Sequence, residues 1–182
     1  MDRFTDKVAI VTGGGSGIGR ATALLLASGG ASVTVADIAA AAATEAVTAI
    51  EAAGGVARTQ VTDVADAAAV EAMVADTVAA YGRLDILHNN AAALDQNRVD
   101  QDVVTMDLGT WERVMAVNLT GPMTTKVVAI ADFNHDGHQD VIFQDAATGA
   151  ATVYFYTGSD GTTPNGTAVL SAGNPWYIAG PH

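Results

Sequence analysis

The chain has no cysteine among its 182 residues, so disulfide scaffolds and thiolate-ligated zinc sites are excluded. Basic residues are scarce: 8 Lys and Arg stand against 20 Asp and Glu, a formal charge of -12 at pH 7. They are dispersed rather than gathered into a stripe, which excludes the phosphate-neutralising surface that nucleic acid requires. Long apolar runs are also missing. The run Val8 to Val11 is too short for a signal-peptide core and far too short for a membrane span, so no membrane association is expected and the cytoplasm is the expected compartment.

Aromatic residues are few and unevenly placed. Residues 1–125 hold only Phe4, Tyr81 and Trp111, whereas 126–182 hold Phe133, Phe143, Tyr154, Phe155, Tyr156, Trp176 and Tyr177. The step marks two styles of construction, with a boundary near Met123 to Lys126. Residues 1–125 carry 7 basic and 15 acidic side chains and 126–182 carry 1 and 5, so neither part is a basic arm for the other. Alanine supplies much of the 49% hydrophobic content, in stretches such as Ile38 to Ala43, and such helices bury little area per residue.

In the first part, Lys7 to Thr12, Ser32 to Asp37, Val56 to Val61 and Leu84 to Asn89 read as strands, each followed by helical spacing. This predicts an α/β fold: a Rossmann-type parallel sheet with helices on both faces and ligands at the carboxyl ends of its strands. In the second part, Val127 to Ala131, Asp140 to Gln144, Ala151 to Thr157, Thr167 to Ser171 and Trp176 to Ala179 read as strands of a small antiparallel meander.

Between the first strand and a helix expected from Arg20 to Ala27 lies Thr12-Gly13-Gly14-Gly15-Ser16-Gly17-Ile18-Gly19. Glycine permits a tight turn and lets backbone N–H groups at a helix N-terminus approach a pyrophosphate. Asp37, 20 residues after Gly17, ends the second strand where a carboxylate accepts from an adenosine ribose diol. No Arg or Lys lies near it in sequence, so NAD is expected over NADP. The plainer alternative for Asp37 is a solvated strand end or a helix cap.

These residues resemble the short-chain dehydrogenase/reductase family from about Lys7 to Thr125. The likeness is carried by the loop Thr12 to Gly19, by Asp37, by Asp63-Val64, by Asn89-Asn90-Ala91-Ala92 and by Asn118 in Val117-Asn118-Leu119. The resemblance implies that Thr12, Gly13, Ser16, Gly17, Ile18, Gly19 and Asp37 bind a nicotinamide dinucleotide. It further implies that Asp63 and Val64 contact the adenine and that Asn90 and Ala91 line the cofactor. Asn118 matches the asparagine that organises the family's proton relay, and Ala92 stands where the family usually has glycine.

The resemblance also implies a catalytic tyrosine with a lysine four residues later, because a phenol must be brought toward neutral pKa by a nearby cation. The lysines here are Lys7 and Lys126, and none of Tyr81, Tyr154, Tyr156 and Tyr177 has Lys four residues on. Asn118 is therefore a remnant of the catalytic set, and hydride transfer is not expected. The family's further strands are missing too, which leaves unpaired sheet edges through which the chain could associate.

A different pattern occupies residues 126–182. Asp132, Asn134, Asp136 and Asp140 take positions 1, 3, 5 and 9 around Gly137, and the His138 backbone carbonyl takes position 7, an oxygen shell suited to Ca²⁺. Position 12 is Phe143 rather than a bidentate Glu, so this is not an EF-hand. The loop could equally be a solvated turn, and His135 and His138 read as exposed turn residues. Val127 to Gly158 resembles one FG-GAP or VCBS-type β-propeller repeat, a class commonly extracellular. Four functions stand as expectations: a truncated NAD-binding unit (1–125) fused to a Ca²⁺-binding repeat (126–182) without turnover, an oxidoreductase with replaced catalytic groups, a calcium-dependent binding module, or a chimera without evolved function.

Overall fold

The computed structural model describes residues 3–93, 106–131, 140–145, 151–156 and 164–171, with side chains as far as residue 122. It opens with β1 (Val8–Thr12), α1 (Gly17–Ser28), β2 (Ser32–Asp37), α2 (Ala40–Ala52), β3 (Val56–Val61), α3 (Ala67–Tyr81) and β4 (Ile86–His88). The strands form a parallel sheet in the order β3-β2-β1-β4. A parallel neighbour requires a crossover, and the alanine-rich segments between strands supply helices for it.

Strand alternation divides the core between the two faces of the sheet. Ala9 and Val11 of β1 and Val33 and Val35 of β2 pack with Ala23, Leu26 and Ala27 of α1 and Ala43, Val47 and Ile50 of α2. Ile10 and Ala36 point the other way, onto Val70, Met73, Val74 and Val78 of α3. All five residues of β1 are buried, as expected for a strand covered on both sides. Thr34, on the α3 side, meets the Thr77 hydroxyl at 2.9 Å, and Thr77 also donates to the Met73 carbonyl, so the buried hydroxyl pair is satisfied.

Helix starts follow local chemistry. Asp66 caps α3 by accepting from the N–H groups of Ala68 and Ala69 at 2.9 and 3.4 Å. Asp107 accepts from Thr110 N–H at 3.0 Å and starts α4 (Leu108–Met115). The helix widens into a π-helical stretch, Ala116–Thr120, and resumes as α5 (Gly121–Thr124).

An antiparallel sheet comes next: β5 (Thr125–Ala131), β6 (Asp140–Asp145), β7 (Ala151–Tyr156) and β8 (Pro164–Ser171), paired in chain order as a meander. Its strands match four of the five expected in this part, and Trp176 to Ala179 lies outside the described residues. Helix α5 ends at Thr124 and β5 starts at Thr125. Among the described residues, no helix is long and apolar enough to cross a membrane.

The start of the parallel sheet is tied by Asp85. Its carboxylate accepts from Val8 N–H at 2.9 Å, from Arg83 Nε at 2.8 Å and from Lys7 at 3.3 Å, while Asp85 N–H donates to the Val8 carbonyl at 2.9 Å. Burial works against its charge, but Arg83, the Val8 amide and Lys7 outweigh it and hold the carboxyl below its ordinary value of 3.8. A depressed folded-state pKa contributes stability that is present above the unfolded value and lost as pH falls through the folded one. Asp85→Asn is therefore expected to cost about 1 kcal/mol at neutral pH, with the difference from wild type shrinking below about pH 4; urea unfolding across that range checks it.

Candidate functional site

The glycine-rich turn joins the carboxyl end of β1 to α1. Gly13 and Gly17 have φ of 64° and 51°, in the left-handed region where a side chain is strained. Helix α1 begins at Gly17, three residues before the expected start, because Ser16 is extended with φ -146° and ψ 168° and acts as the N-cap position. Gly17, Ile18 and Gly19 thus form the first helical turn, whose N–H groups have no intrahelical acceptor. The Ser16 side chain makes no capping bond, and the first turn holds no acidic residue. Ser16, Gly17 and Ile18 are exposed.

Gly19 is required by a close approach rather than by its dihedral angle. A Cβ there would collide with the Gly13 carbonyl oxygen and stand 2.5 Å from Asn90 Nδ2. The space it leaves lets Asn90 Nδ2 donate to the carbonyls of Thr12 and Gly13 at 3.0 and 3.3 Å. Thr12 completes the joint: its buried hydroxyl donates to the His88 carbonyl at 3.3 Å and accepts from the N–H groups of Asn90 and Ala91 at 3.0 and 3.2 Å. Thr12 and Asn90 accordingly join β1 to the segment after β4. Ala92 needs no left-handed backbone, since Asp6 is the sole non-glycine residue with positive φ among those described.

Asp37 closes the other side of the turn. One carboxylate oxygen accepts from Gly15 N–H and the other from Ala39 N–H, both at 2.9 Å. The carboxylate is thus held by the loop, with each oxygen retaining acceptor capacity. Asp63 accepts from Ala65 N–H at 2.9 Å and from Arg113 Nη1 at 3.1 Å. The Ala65 bond lowers its pKa most, burial opposes, and the Arg113 hydrogen bond and charge lower it further. Val64 lies beside it, and its carbonyl packs against Gly121, where an added Cβ would stand at 2.5 Å. Asn118 sits in the π-helical stretch, and its Oδ1 accepts from Ala93 N–H at 2.7 Å, tying that helix to the segment after β4.

Three contacts have no local signal in the sequence: Arg113 on Asp63, Gly121 on Val64 and Gly15 on Asp37. The first pair is 50 residues apart, and its only cue is a basic residue in the last turn of α4. Tyr81, the one tyrosine whose side chain is described, closes α3, which leads from the carboxyl end of β3 back to the amino end of β4. Burial pushes its phenol above the ordinary value, Arg58 lowering and Glu51 raising it less, opposite to what acid/base work needs. Of the expected Ca²⁺ ligands, Asp132, Asn134, Asp136 and His138 lie outside the described residues and Asp140 is the first residue of β6. Among the described residues, no group of three or more His, Asp or Glu is placed to hold a metal ion.

The parts suit a dinucleotide. An uncapped first turn with no carboxylate in it offers N–H donors to an anion. The cradle around Gly19 brings backbone close where a side chain would block it, and Asp37 stands at the end of the neighbouring strand, within hydrogen-bonding distance of the loop. The residues present therefore fit a pyrophosphate flanked by a ribose diol.

The profile of the short chain dehydrogenase family matches residues 7–158, a span that runs past residue 125 into the antiparallel strands. The chain is 44% identical over 123 residues to a protein of Bradyrhizobium diazoefficiens described as a probable short-chain type dehydrogenase/reductase, covering 68% of this chain and 44% of that protein. It is 40% identical over 118 residues to cyclohexanol dehydrogenase of an Acinetobacter species, covering 65% and 46%. It thus spans less than half the length of either. Among solved structures, a metagenomic short-chain oxidoreductase in complex with NADP superposes with a TM-score of 0.61 and 34% identity over 66% of this chain and 53% of that one. A 7α-hydroxysteroid dehydrogenase complexed with NADH and 7-oxo glycochenodeoxycholic acid gives 0.60 and 32%, over 66% and 45%.

The turn predicts a contrast between two glycines. Gly19→Ala is expected to destabilise by about 1–3 kcal/mol, because backbone must move to admit the methyl. At Gly17 a Cβ would meet nothing within 4 Å, so Gly17→Ala should cost only the left-handed strain of about 1 kcal/mol. Equilibrium denaturation of both variants distinguishes the two causes.

Proposed function

Because the chain belongs to the short-chain dehydrogenase family, we propose that residues 1–125 bind NAD, with the observation carrying most weight being the uncapped, glycine-built N-terminus of α1 held against Asp37. The first-turn amides of Gly17, Ile18 and Gly19, with Gly13 and Ser16 shaping the turn, would hold the pyrophosphate. Asp37 would accept from the adenosine ribose, Asp63 and Val64 would face the adenine, and Asn90 and Ala91 would line the cofactor. Thr12 supports this set from beneath by fixing Asn90 and Ala91. When bound, the nicotinamide supplies a hydride acceptor or donor.

Preference for NAD over NADP follows from charge. A 2′-phosphate would face the Asp37 carboxylate, and several basic side chains are engaged elsewhere: Lys7 and Arg83 with Asp85, Arg58 with Gln60 and the Asp76 carbonyl, Arg113 with Asp63. The sequence supplies no Tyr-x-x-x-Lys pair, so the reading is of binding without hydride transfer, with Asn118 acting structurally through Ala93.

A second part of the reading concerns Ca²⁺. Asp132, Asn134, Asp136, the His138 carbonyl and Asp140 are proposed as its ligands, within a repeat spanning 126–182. Support comes from the antiparallel pairing of β5 with β6, the two strands that flank the motif in sequence. The change from helix to antiparallel strand at Thr125 supports a unit boundary there.

Thermal unfolding tests both parts. NAD⁺ at 100 times its Kd is expected to add about 2.7 kcal/mol of stability. NADP⁺ should shift the transition less, Asp37→Asn should narrow the gap between them, and no NADH should accumulate with secondary alcohols. A Ca²⁺-dependent shift that EGTA reverses and that is lost in Asp132→Ala with Asp136→Ala supports the loop as a cation site; an equal shift in that variant refutes it.

A further inference from the structure

The acidic side chain at the adenine end is held by a residue far away in sequence. Arg113 Nη1 lies 3.1 Å from Asp63 Oδ2 and 3.4 Å from Oδ1, while Ala65 N–H donates to Oδ1 at 2.9 Å. One oxygen is fixed from within its own turn and the other from α4. The same stretch of chain makes a second contact further along. Gly121 packs so closely on the Val64 carbonyl that a methyl there would stand 2.5 Å from it. Asp63 and Val64 are thus gripped at two adjacent points by residues 113 and 121, with the π-helical Ala116–Thr120 between them.

We infer that Arg113 is a positioning residue for the adenine end of the dinucleotide, orienting the Asp63 carboxylate so that it accepts from the exocyclic amine of the base. This rests on the dinucleotide reading above. A carboxylate on a turn can rotate about its side-chain bonds, and a recognition bond requires that the rotation be stopped before the ligand arrives. Arg113 Nη1, within reach of both carboxylate oxygens, supplies that restraint from outside the turn. As a positioning residue Arg113 acts through Asp63 rather than on the ligand. Its side chain is 40% exposed and that of Asp63 37%, so the pair contributes little to folding and its effect should appear in base discrimination instead.

The test titrates the full chain with NAD⁺ and with nicotinamide hypoxanthine dinucleotide, which carries a carbonyl oxygen in place of the amine. Wild type should prefer NAD⁺. Arg113→Met should weaken NAD⁺ by about fivefold, the size of one exposed ion pair, and leave the hypoxanthine analogue nearly unchanged; Arg113→Lys should restore part of the preference, with the melting temperature of the ligand-free protein unchanged in both. An intact preference in Arg113→Met overturns the inference, as does an equal loss for both ligands accompanied by a lower melting temperature. Wild type that binds both ligands equally overturns it while leaving the dinucleotide reading standing. Wild type that binds neither removes that reading and the inference with it.

Discussion

The side chains of Thr12 and Asn90 cross-link the carboxyl ends of β1 and β4, and the upper edge of the parallel sheet is hung from that cross-link. Thr12 directs one hydroxyl at three backbone groups of the β4 end. Asn90 returns its amide to two carbonyls at the start of the glycine turn. Asn90 could not do so if Gly19 carried a side chain. The close packing of the turn on the segment after β4 therefore depends on one missing methyl and two polar side chains. Such joints are costly to leave unsatisfied in a partly buried setting, which makes the geometry all-or-none rather than adjustable.

Around this joint the sheet is held by modest means. Its helices are rich in alanine, and the largest fully buried side chains are Ile10, Ile50, Met73 and the valines of β1, β2 and α3. Small side chains bring helices close to the sheet but contribute little transfer free energy per residue. Directional bonds at the edges consequently matter more than in a bulkier core: Asp85 across the amino ends of β1 and β4, Thr34 with Thr77 beneath the sheet, Asn118 with Ala93 at the carboxyl end. The π-helical stretch is a local detail of the same kind, since it sets Asn118 toward Ala93 and carries Gly121 onto Val64 within a single helix.

The family's catalytic logic divides between two halves, one that binds the dinucleotide and one that brings a phenol and an ammonium to the reacting carbon. The residues proposed to hold the dinucleotide lie in the described parallel sheet and are hydrogen-bonded to one another across the glycine turn. Beyond α5 the chain turns to an antiparallel meander, and on a strand two residues four apart share a face but stand about 13 Å from each other, too far for an ammonium to act on a phenol as it does one helical turn away. Tyr81 is excluded from such a role by position, at the end of α3 that leads to the amino end of β4, and by the upward push of burial on its phenol.

Strand identity, sheet class and the cradle were legible because they are local. β2 and β3 run over the ranges that alternation and β-branching imply, the β1 run is buried on both faces, and the break at Thr125 lies where the composition changes. The glycine turn and the acidic residue ending the next strand were legible for the same reason, because they are patterns that one turn and one strand impose. Helix ends were less so, since the start of α1 depends on Ser16 being extended and that of α4 on a bond from Asp107. Tertiary structure alone decided which side chains brace the site. Arg113 reaching Asp63, Gly121 admitting the Val64 carbonyl and Gly15 meeting Asp37 join positions 22 to 57 residues apart, and no local preference encodes a contact that exists only after separate strands and helices have packed.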